Sequence, residues 1–533
     1  MNKLKNAKEF LVTPDLAPEY LPEEMSRLGY RVTEERPSIS KSRLFDTFDW
    51  RLLGSGLLLA RGRDGYQLYG ADDGREFGRA PGKGGGHKFS HDFPAGPLRE
   101  ALTPVIAMRA LLPLLDLRAR SRCWEIRNRD DKLVLRCRWR QLEVRRVAWR
   151  SDPHPRPAKG GAAPEPLHTL VLEPVTGYRK PEREALATLE PLNLSPVSRL
   201  AAHLYRHVGF DLEAGKKTVP QLGPDWPAAK AALEILRHQY RVMRLNEAGI
   251  IADLDSEFLH DFRVALRRSR AAMSRIKKVL PASAKHFRSQ LADLARRSNR
   301  LRDLDVYLLQ REEYRQMLPA CLQEGLEPIF SVLAEERGRE FKKLARWMKG
   351  AEYRRIMAKW GQFLASYEPW QAEDGVAVPA NALAPVLPLA EEAIAAACLR
   401  LLEHGRAIGP DSPDEALHAL RLDCKKLRYL FEFFATLFPS EEITPLINRT
   451  KKLQDNLGAF NDFFVQQEAL RHFLAALGRG GTKHAAGLAA AAAAIGGLIT
   501  RLSREQGRVR RDFAKTFKAF EGCGNRKKFC PEE

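Results

Sequence analysis

The segment HDFRVALRRSRAAMSRIKKVLP, from His260 to Pro281, has a counterpart in HALRLDCKKLRYLFEFFATLFP, from His418 to Pro439. Each is 22 residues long, each opens on His and closes on Pro, and they start 158 residues apart. A chain that repeats a segment at this spacing has to fold it twice in related surroundings, which constrains the architecture more than any total does.

On a helix at 100° per residue, Arg263, Arg267 and Arg270 fall within about 80° of His260, and Arg268 flanks them on the other side. Phe262, Leu266, Met273, Ile276 and Leu280 take the opposite face. In the second copy His418, Arg421, Lys425 and Arg428 form the stripe and Lys426 flanks it. Leu420, Leu427, Phe431, Phe434 and Phe438 form its apolar face. Both segments are therefore expected to be amphipathic helices with a nearly all-cationic polar face.

A basic run on a helix is ordinarily a solvated face. Solvated faces usually mix signs, because Glu–Lys pairs stabilise a helix and like charges repel. Here one sign is stacked over three turns, at His and then basic residues at +3, +7, +8 and +10, in both copies. Such a stripe is destabilising unless an anion neutralises it. Arg grips phosphate oxygens with a planar fork and Lys supplies a mobile point charge, so a mixed stripe suits a chain of phosphates. The His at the head of each stripe could hydrogen-bond a phosphate, gain a proton near a polyanion, or only cap and pack its helix; these readings stay open.

The totals agree in direction. The 533 residues carry a formal charge of +21, which favours a polyanionic partner without choosing among nucleic acid, membrane surface and polyphosphate. Seven cysteines are too few for a disulfide framework, so a reducing, cytoplasmic setting is expected, and Cys523 and Cys530 in the tail are read as incidental. The N-terminus has no apolar signal core, and the Ala-rich stretch Ala485 to Thr500 reads as a packing helix, not a membrane span.

The halves differ in period. The first ~200 residues read as β-rich. Lys132 to Val144 alternates, with Leu133, Leu135, Cys137 and Trp139 on one face and Arg136, Arg138 and Arg140 on the other. His168 to Val175 is a second strand candidate, and Ser151 to Pro166 is a Pro- and Gly-rich loop. GREFGRAPGKGGGHK, Gly74 to Lys88, fails the Walker pattern, because Phe77 and Gly84 stand where Gly and Ser or Thr are required. Asp211 to Pro227 reads as a linker. Beyond it the pattern is helical, broken once at Glu368 to Pro388 into two parts with one copy each.

A second echo follows each copy: Asp303 lies 22 residues past Pro281, and Asp462 lies 23 past Pro439. With it, DSEFLHDFRVALRRSRAAM and DEALHALRLDCKKLRYLFEFF resemble the two signature helices of the CHAD (conserved histidine α-helical) domain. The resemblance implies two pseudo-symmetric helical bundles around a basic channel, and inorganic polyphosphate as ligand. The implied ligand set is His260, Arg263, Arg267, Arg268, Arg270, His418, Arg421, Lys425, Lys426 and Arg428. Asp303 and Asp462 are read as supporting carboxylates that orient the arginines, with a phosphate-bridging metal left open.

The N-terminal half resembles a CYTH domain, a triphosphate-tunnel β-barrel, at Ser42 to Gly65, RARSRCWEI, HTLVLEPVTGY and SPVSRLAAHLYRHVGF. That family's first strand carries Glu-x-Glu-x-Lys for a catalytic divalent metal. Here Lys5, Ala7 and Glu9 stand there, and Val171 with Glu173 stand on the later acidic strand. Such metals need several carboxylate ligands, so a pseudoenzyme is expected, with no cofactor, no catalytic residue and no metal ligand. A residual basic lining is expected from Arg61, Arg63, Arg120, Arg122 and Arg138, together with Arg118, Arg136 and Arg140. His203 and His207, four apart, lack an acidic third ligand.

The expected fold is α+β. Residues 1–210 form a degenerate antiparallel β-barrel or tunnel, 211–225 a linker, 226–520 the helical domain with halves 226–367 and 389–520, and 521–533 a basic tail. The expected function is non-catalytic polyphosphate binding, with residence on polyphosphate granules as one setting. A triphosphate hydrolase with rearranged metal ligands is the alternative. A nucleic-acid binder is the third reading, disfavoured because only Tyr429 lies near a stripe to stack bases.

Overall fold

The computed structural model describes residues 7–71, 74–82, 88–147, 153–154, 164–197, 200–213, 219–275, 279–369, 378–479, 485–523 and 529. Lys5, Ile276, Cys530, the Gly-rich part of the stretch Gly74 to Lys88 (read as a loop, though Glu76–Ala80 in it is a strand), most of the Ser151–Pro166 loop and most of the tail lie outside them. The chain divides into two units, Met1–Lys217 and Thr218–Glu533, and the division falls within the proline-rich segment 211–225.

The strands of the first unit are β1 (Lys8–Val12), β2 (Arg31–Glu34), β3 (Ser38–Asp46), β4 (Leu57–Gly62), β5 (Gly65–Gly70), β6 (Glu76–Ala80), β7 (Leu112–Arg127), β8 (Leu133–Arg146), β9 (Leu167–Pro174) and β10 (Ser195–Pro196). Its helices are α1 (Tyr20–Arg27), α2 (Arg51–Gly54), α3 (Pro97–Ile106), α4 (Arg179–Leu189) and α5 (Leu200–His207). The strands form one sheet in the order β10-β1-β9-β8-β7-β3-β4-β5-β6, with β2 also on β7. Every pairing is antiparallel. The expected antiparallel sheet domain is present; among the described residues β6 and β10 do not meet, so of the barrel or tunnel expected the barrel is not closed. Closure needs a hydrogen-bonded partner for each edge.

The alternation expected at β8 is present. Leu135, Cys137 and Trp139 are buried with Leu170 and Leu172 of β9 beneath Leu21 and Met25 of α1 and Ala185 and Leu189 of α4. A second core joins Phe45, Leu59 and Leu68 to Leu98, Leu102 and Ile106 of α3. Trp50, at φ 59° in the left-handed region, packs its buried ring on His154, Tyr205 and Phe210.

The second unit is helical throughout: α6 (Ala228–Ile251), α7 (Ser256–Arg275), α8 (Ala284–Leu309), α9 (Arg311–Gln316), α10 (Ala320–Gln323), α11 (Glu327–Met348), α12 (Ala351–Ser366), α13 (Val386–Arg406), α14 (Asp414–Phe434), α15 (Ser440–Arg479) and α16 (Ala485–Glu521). The repeat reaches beyond its signature helices. Pro227 and Pro385, again 158 apart, precede α6 and α13 with nearly the same backbone angles. They pair antiparallel, Ala228 N–H donating to Ala384 O at 2.8 Å and Val386 N–H to Trp226 O at 2.9 Å. Equivalent residues bonding reciprocally is the mark of a local two-fold, with α6-α7-α8 matching α13-α14-α15.

The apolar faces fill this unit's core. Phe262 and Leu266 of α7 and Leu420, Leu427, Phe431 and Phe434 of α14 are buried, at no more than 3% exposure. Asp255 caps α7, accepting N–H bonds from Glu257 at 2.9 Å and Phe258 at 3.2 Å. Gly249 lets α6 and α7 approach closely, since a Cβ there would lie 2.2 Å from the Phe258 ring. Leu304 and Tyr307 of α8 join Phe463 and Leu470 of α15 and Leu498 and Leu502 of α16 in another core.

One cysteine departs from expectation. Cys398 on α13 is disulfide-bonded, while Cys123, Cys137, Cys321, Cys424 and Cys523 are free. No described helix is long and apolar enough to cross a membrane.

Candidate functional site

The two stripes meet where α7 packs on α14. Glu432, one turn past Arg428, accepts from Arg268 Nε at 2.9 Å and lies 3.1 Å from Arg428 Nε. The Arg428 contact is an ion pair without hydrogen-bond geometry, since that Nε has no aligned acceptor. One carboxylate thus ties a cation of each copy.

Beside this link the positive charge is crowded. Burial, then the charges of Arg421 and Arg267, pushes the Lys425 ammonium down to about 8. Arg267 is on α7 and Arg421 on α14, so both copies act on one lysine. Burial likewise lowers the Arg263 guanidinium to about 10, against the pull of Asp303 and with the push of Arg267 and Arg302. Arg263 is anchored on α8, donating to Ala295 O at 2.9 Å and Ser298 Oγ at 2.7 Å. Arg421 Nη2 reaches Asp462 on α15 at 3.5 Å, and His418 Nδ1 lies 2.8 Å from Asn461 Oδ1. His260 lies half-buried on α7. Arg267, Arg270 and Lys425 make no ion pair among the described residues, and Arg270 Nε and Arg421 Nε are buried without an acceptor.

One flank leaves the seam. Lys426 Nζ donates to Asp423 Oδ1 at 2.7 Å, and His404 Nδ1 holds the other oxygen of Asp423 at 2.7 Å. Lys426 and Asp423 line a separate pocket of about 350 Å³ with Ser274 and Arg400. Asp303 faces Arg263, Arg300 and Arg302, and Asp462 faces Arg421 and Lys425.

Sequence reasoning missed Glu432. It sits about 40° from His418 around the helix, inside the basic stripe. A carboxylate four residues after Arg428 was the available signal. Asn461 and Ser298 carried no signal of their own.

In the first unit the arginines are divided and paired. Register sets Arg118, Arg120 and Arg122 opposite Glu143, Gln141 and Trp139, and Arg138 and Arg140 opposite Cys123 and Ser121. Facing residues share a side of the sheet, so the two basic rows lie on opposite faces and do not form one lining. On one face Arg140 binds Glu9, Arg138 lies 3.1 Å from Glu173, and Arg136 lies 2.9 Å from Glu125. On the other, Arg122 binds Glu19 and Glu34, and Glu143 takes Arg120 at 3.2 Å and Arg118 at 3.6 Å. Lys41, Arg43, Arg61, Arg118 and Arg145 line an open cleft of about 550 Å³ with Asp116 and Glu143, and Arg61 also donates to Gly82 O at 2.7 Å. Arg63 is exposed at the β4–β5 turn. His207 Nε2 lies 2.7 Å from Glu165 O. Among the described residues no three His, Cys, Asp or Glu side chains converge as metal ligands.

The family match lies within the helical unit. Residues 234–471 match the CHAD domain family. Two of the solved structures similar to this chain are the following. The CHAD domain from the plant Ricinus communis has 20% identity and a TM-score of 0.47, over 58% of this chain and 96% of that one. PptA from Streptomyces chartreusis has 20% identity and a TM-score of 0.41, over 55% of this chain and 99% of that one. No curated protein matches.

Proposed function

With a CHAD domain at residues 234–471 as premise, we propose that the helical unit binds inorganic polyphosphate, without catalysis, along the seam of α7 and α14. The observation that carries this is the set of cations from both copies that make no ion pair among the described residues, Arg267, Arg270 and Lys425, with Lys425 pushed down to about 8 by burial and like charge despite the pull of Asp462. A group held at that pKa is charged against its surroundings. An anion laid along the seam removes the penalty, and a chain of phosphates does so at several points, releasing its counterions. Residence on polyphosphate granules follows from such binding.

The first unit is proposed to be a pseudoenzyme. Glu9 and Glu173, the two acids left of the expected metal site, are each held by an arginine, and Glu173 is only 8% exposed. A divalent metal would have to displace both guanidiniums. Nucleic acid is the weaker reading for the seam, because Tyr429 is buried and stacked on Phe433, so it offers no face to a base.

The test is a titration with polyphosphates of graded length against DNA and RNA at matched ionic strength. Polyphosphate should bind more tightly at equal charge, increasingly so with length. Equal or tighter binding of nucleic acid would replace this reading.

A further inference from the structure

We propose that Glu432 is a tethered counter-anion of the seam, standing where a phosphate would stand and limiting how far along the seam a chain is held. This rests on the polyphosphate reading and adds the residue that sets the length of chain engaged.

The geometry is that of a ligand group. One carboxylate lies 2.8 Å from Arg268 Nη2 and 3.1 Å from Arg428 Nε, on two helices from the two copies. Arg268 is 31% exposed and Arg428 and Glu432 are each 22% exposed, so solvent screens the cluster only in part. Oε2 takes the fork of Arg268 as a phosphate oxygen would, and Oε1 meets Arg428 as an ion pair without hydrogen-bond geometry.

The repeat supplies the comparison. Exchanging the two copies, a shift of 158 residues back for α14 and forward for α7, takes Glu432 to Ser274, Arg428 to Arg270 and Arg268 to Lys426. The equivalent site has no carboxylate at the Glu432 position. Ser274 Oγ donates to Ala271 O at 3.0 Å, within its own helix. Lys426 is taken by Asp423, and Arg270 makes no ion pair among the described residues. One side of the seam is self-neutralised and the other is left cationic. A short anion can settle on Arg267, Arg270 and Lys425 without touching Glu432. A longer chain that continues along α14 has to exchange phosphate oxygens for the carboxylate and lie beside its charge.

The experiment compares wild-type, Glu432→Gln and Ser274→Glu proteins in titrations with long-chain polyphosphate and with tripolyphosphate over a range of salt. Thermal melts accompany them. Glu432→Gln should bind the long chain about tenfold more tightly, roughly the gain from one freed charge-assisted contact. The fall of its affinity with salt should also be steeper, since more phosphates are neutralised. Tripolyphosphate affinity should stay about the same. Ser274→Glu, which installs a carboxylate one turn past Arg270 at the position equivalent to Glu432, should weaken the long chain by a similar factor and flatten its salt dependence. Adding Arg268→Gln to Glu432→Gln should remove part of the gain. If wild-type protein binds the long chain while Glu432→Gln binds no tighter and keeps the same salt dependence, Glu432 is a structural clasp and this proposal fails alone. If wild-type protein binds no polyphosphate, the functional reading fails and the role of Glu432 with it.

Discussion

Both units carry rows of arginine, and the two rows have opposite fates. In the sheet, Arg122, Arg136, Arg138 and Arg140 each have a glutamate from a neighbouring strand or helix. In the helical unit, Arg267, Arg270 and Lys425 have none among the described residues, and burial and like charge press on Lys425 and Arg263. Positive charge in a sequence therefore does not mark a ligand site by itself. What marks it is the carboxylate supply around the charge once the fold is formed. Arginines paired within the sheet are already neutralised, whereas the unpaired ones on the packed helices are the groups proposed to meet an external anion.

The largest effect should come from emptying the seam. Changing Arg263, Arg267 and Arg270 together to Gln should weaken long polyphosphate by roughly 10²-fold or more, at ~1.5–3 kcal/mol per charged contact with a discount for non-additivity. Arg421, Lys425 and Arg428 changed to Gln should do the same. Both proteins should stay folded, because the changes relieve like-charge repulsion. Wild-type affinity in two folded triple variants would reduce the stripes to solvated faces.

The matching change in the sheet should move stability and leave binding alone. Arg138→Gln leaves Glu173, 8% exposed, without its guanidinium, a loss of about 1–3 kcal/mol for a buried acceptor stripped of its partner. Polyphosphate affinity should stay within about twofold, on the proposal that the seam of α7 and α14 is the site. Chemical denaturation and titration on the same sample check both halves. A large affinity loss with unchanged stability would erase the contrast.

A smaller effect comes from pH. Lys425 is lowered to about 8 from the ordinary 10.5 in the free protein. A bound polyanion favours its charged form, so binding takes up a proton once the pH exceeds about 8, and affinity falls as pH rises from there towards the pKa of the complex. The loss should be up to about tenfold, one contact's worth. Lys425→Arg, charged throughout, should flatten the profile between pH 7 and 9.5, on the order of the range this shift opens. The smallest effect is expected at Lys426→Met, which should change affinity by less than about threefold because Asp423 already holds that charge away from the seam.

These contrasts also show where sequence stops being enough. The amphipathic helices were legible because period, apolar face and basic stripe are local properties: α7 buries Phe262 and Leu266 and α14 buries Leu420, Leu427, Phe431 and Phe434, while Met273 and Phe438 are half-buried. The alternation of β8 was legible for the same reason. The split of the arginines onto two faces was not. It depends on the pairing of β7 with β8, which puts Arg122 opposite Trp139 and Arg138 opposite Cys123, and one step of register would reverse it. Lys426 lies at about 80° from His418, on the border of the stripe, where neighbouring helices decide which way a side chain turns. Glu432 became meaningful only when α7 brought Arg268 to it.

The most direct test separates the two basic surfaces physically. Fragments Met1–Lys217 and Thr218–Glu533, which are the two compact units of the chain, would be titrated with long-chain polyphosphate over a range of salt, with folding of each checked by circular dichroism. The helical fragment should retain most of the affinity of the whole protein and nearly its full salt dependence, and the sheet fragment should bind weakly. Tight, salt-dependent binding by a folded sheet fragment, with little by a folded helical one, would contradict the account.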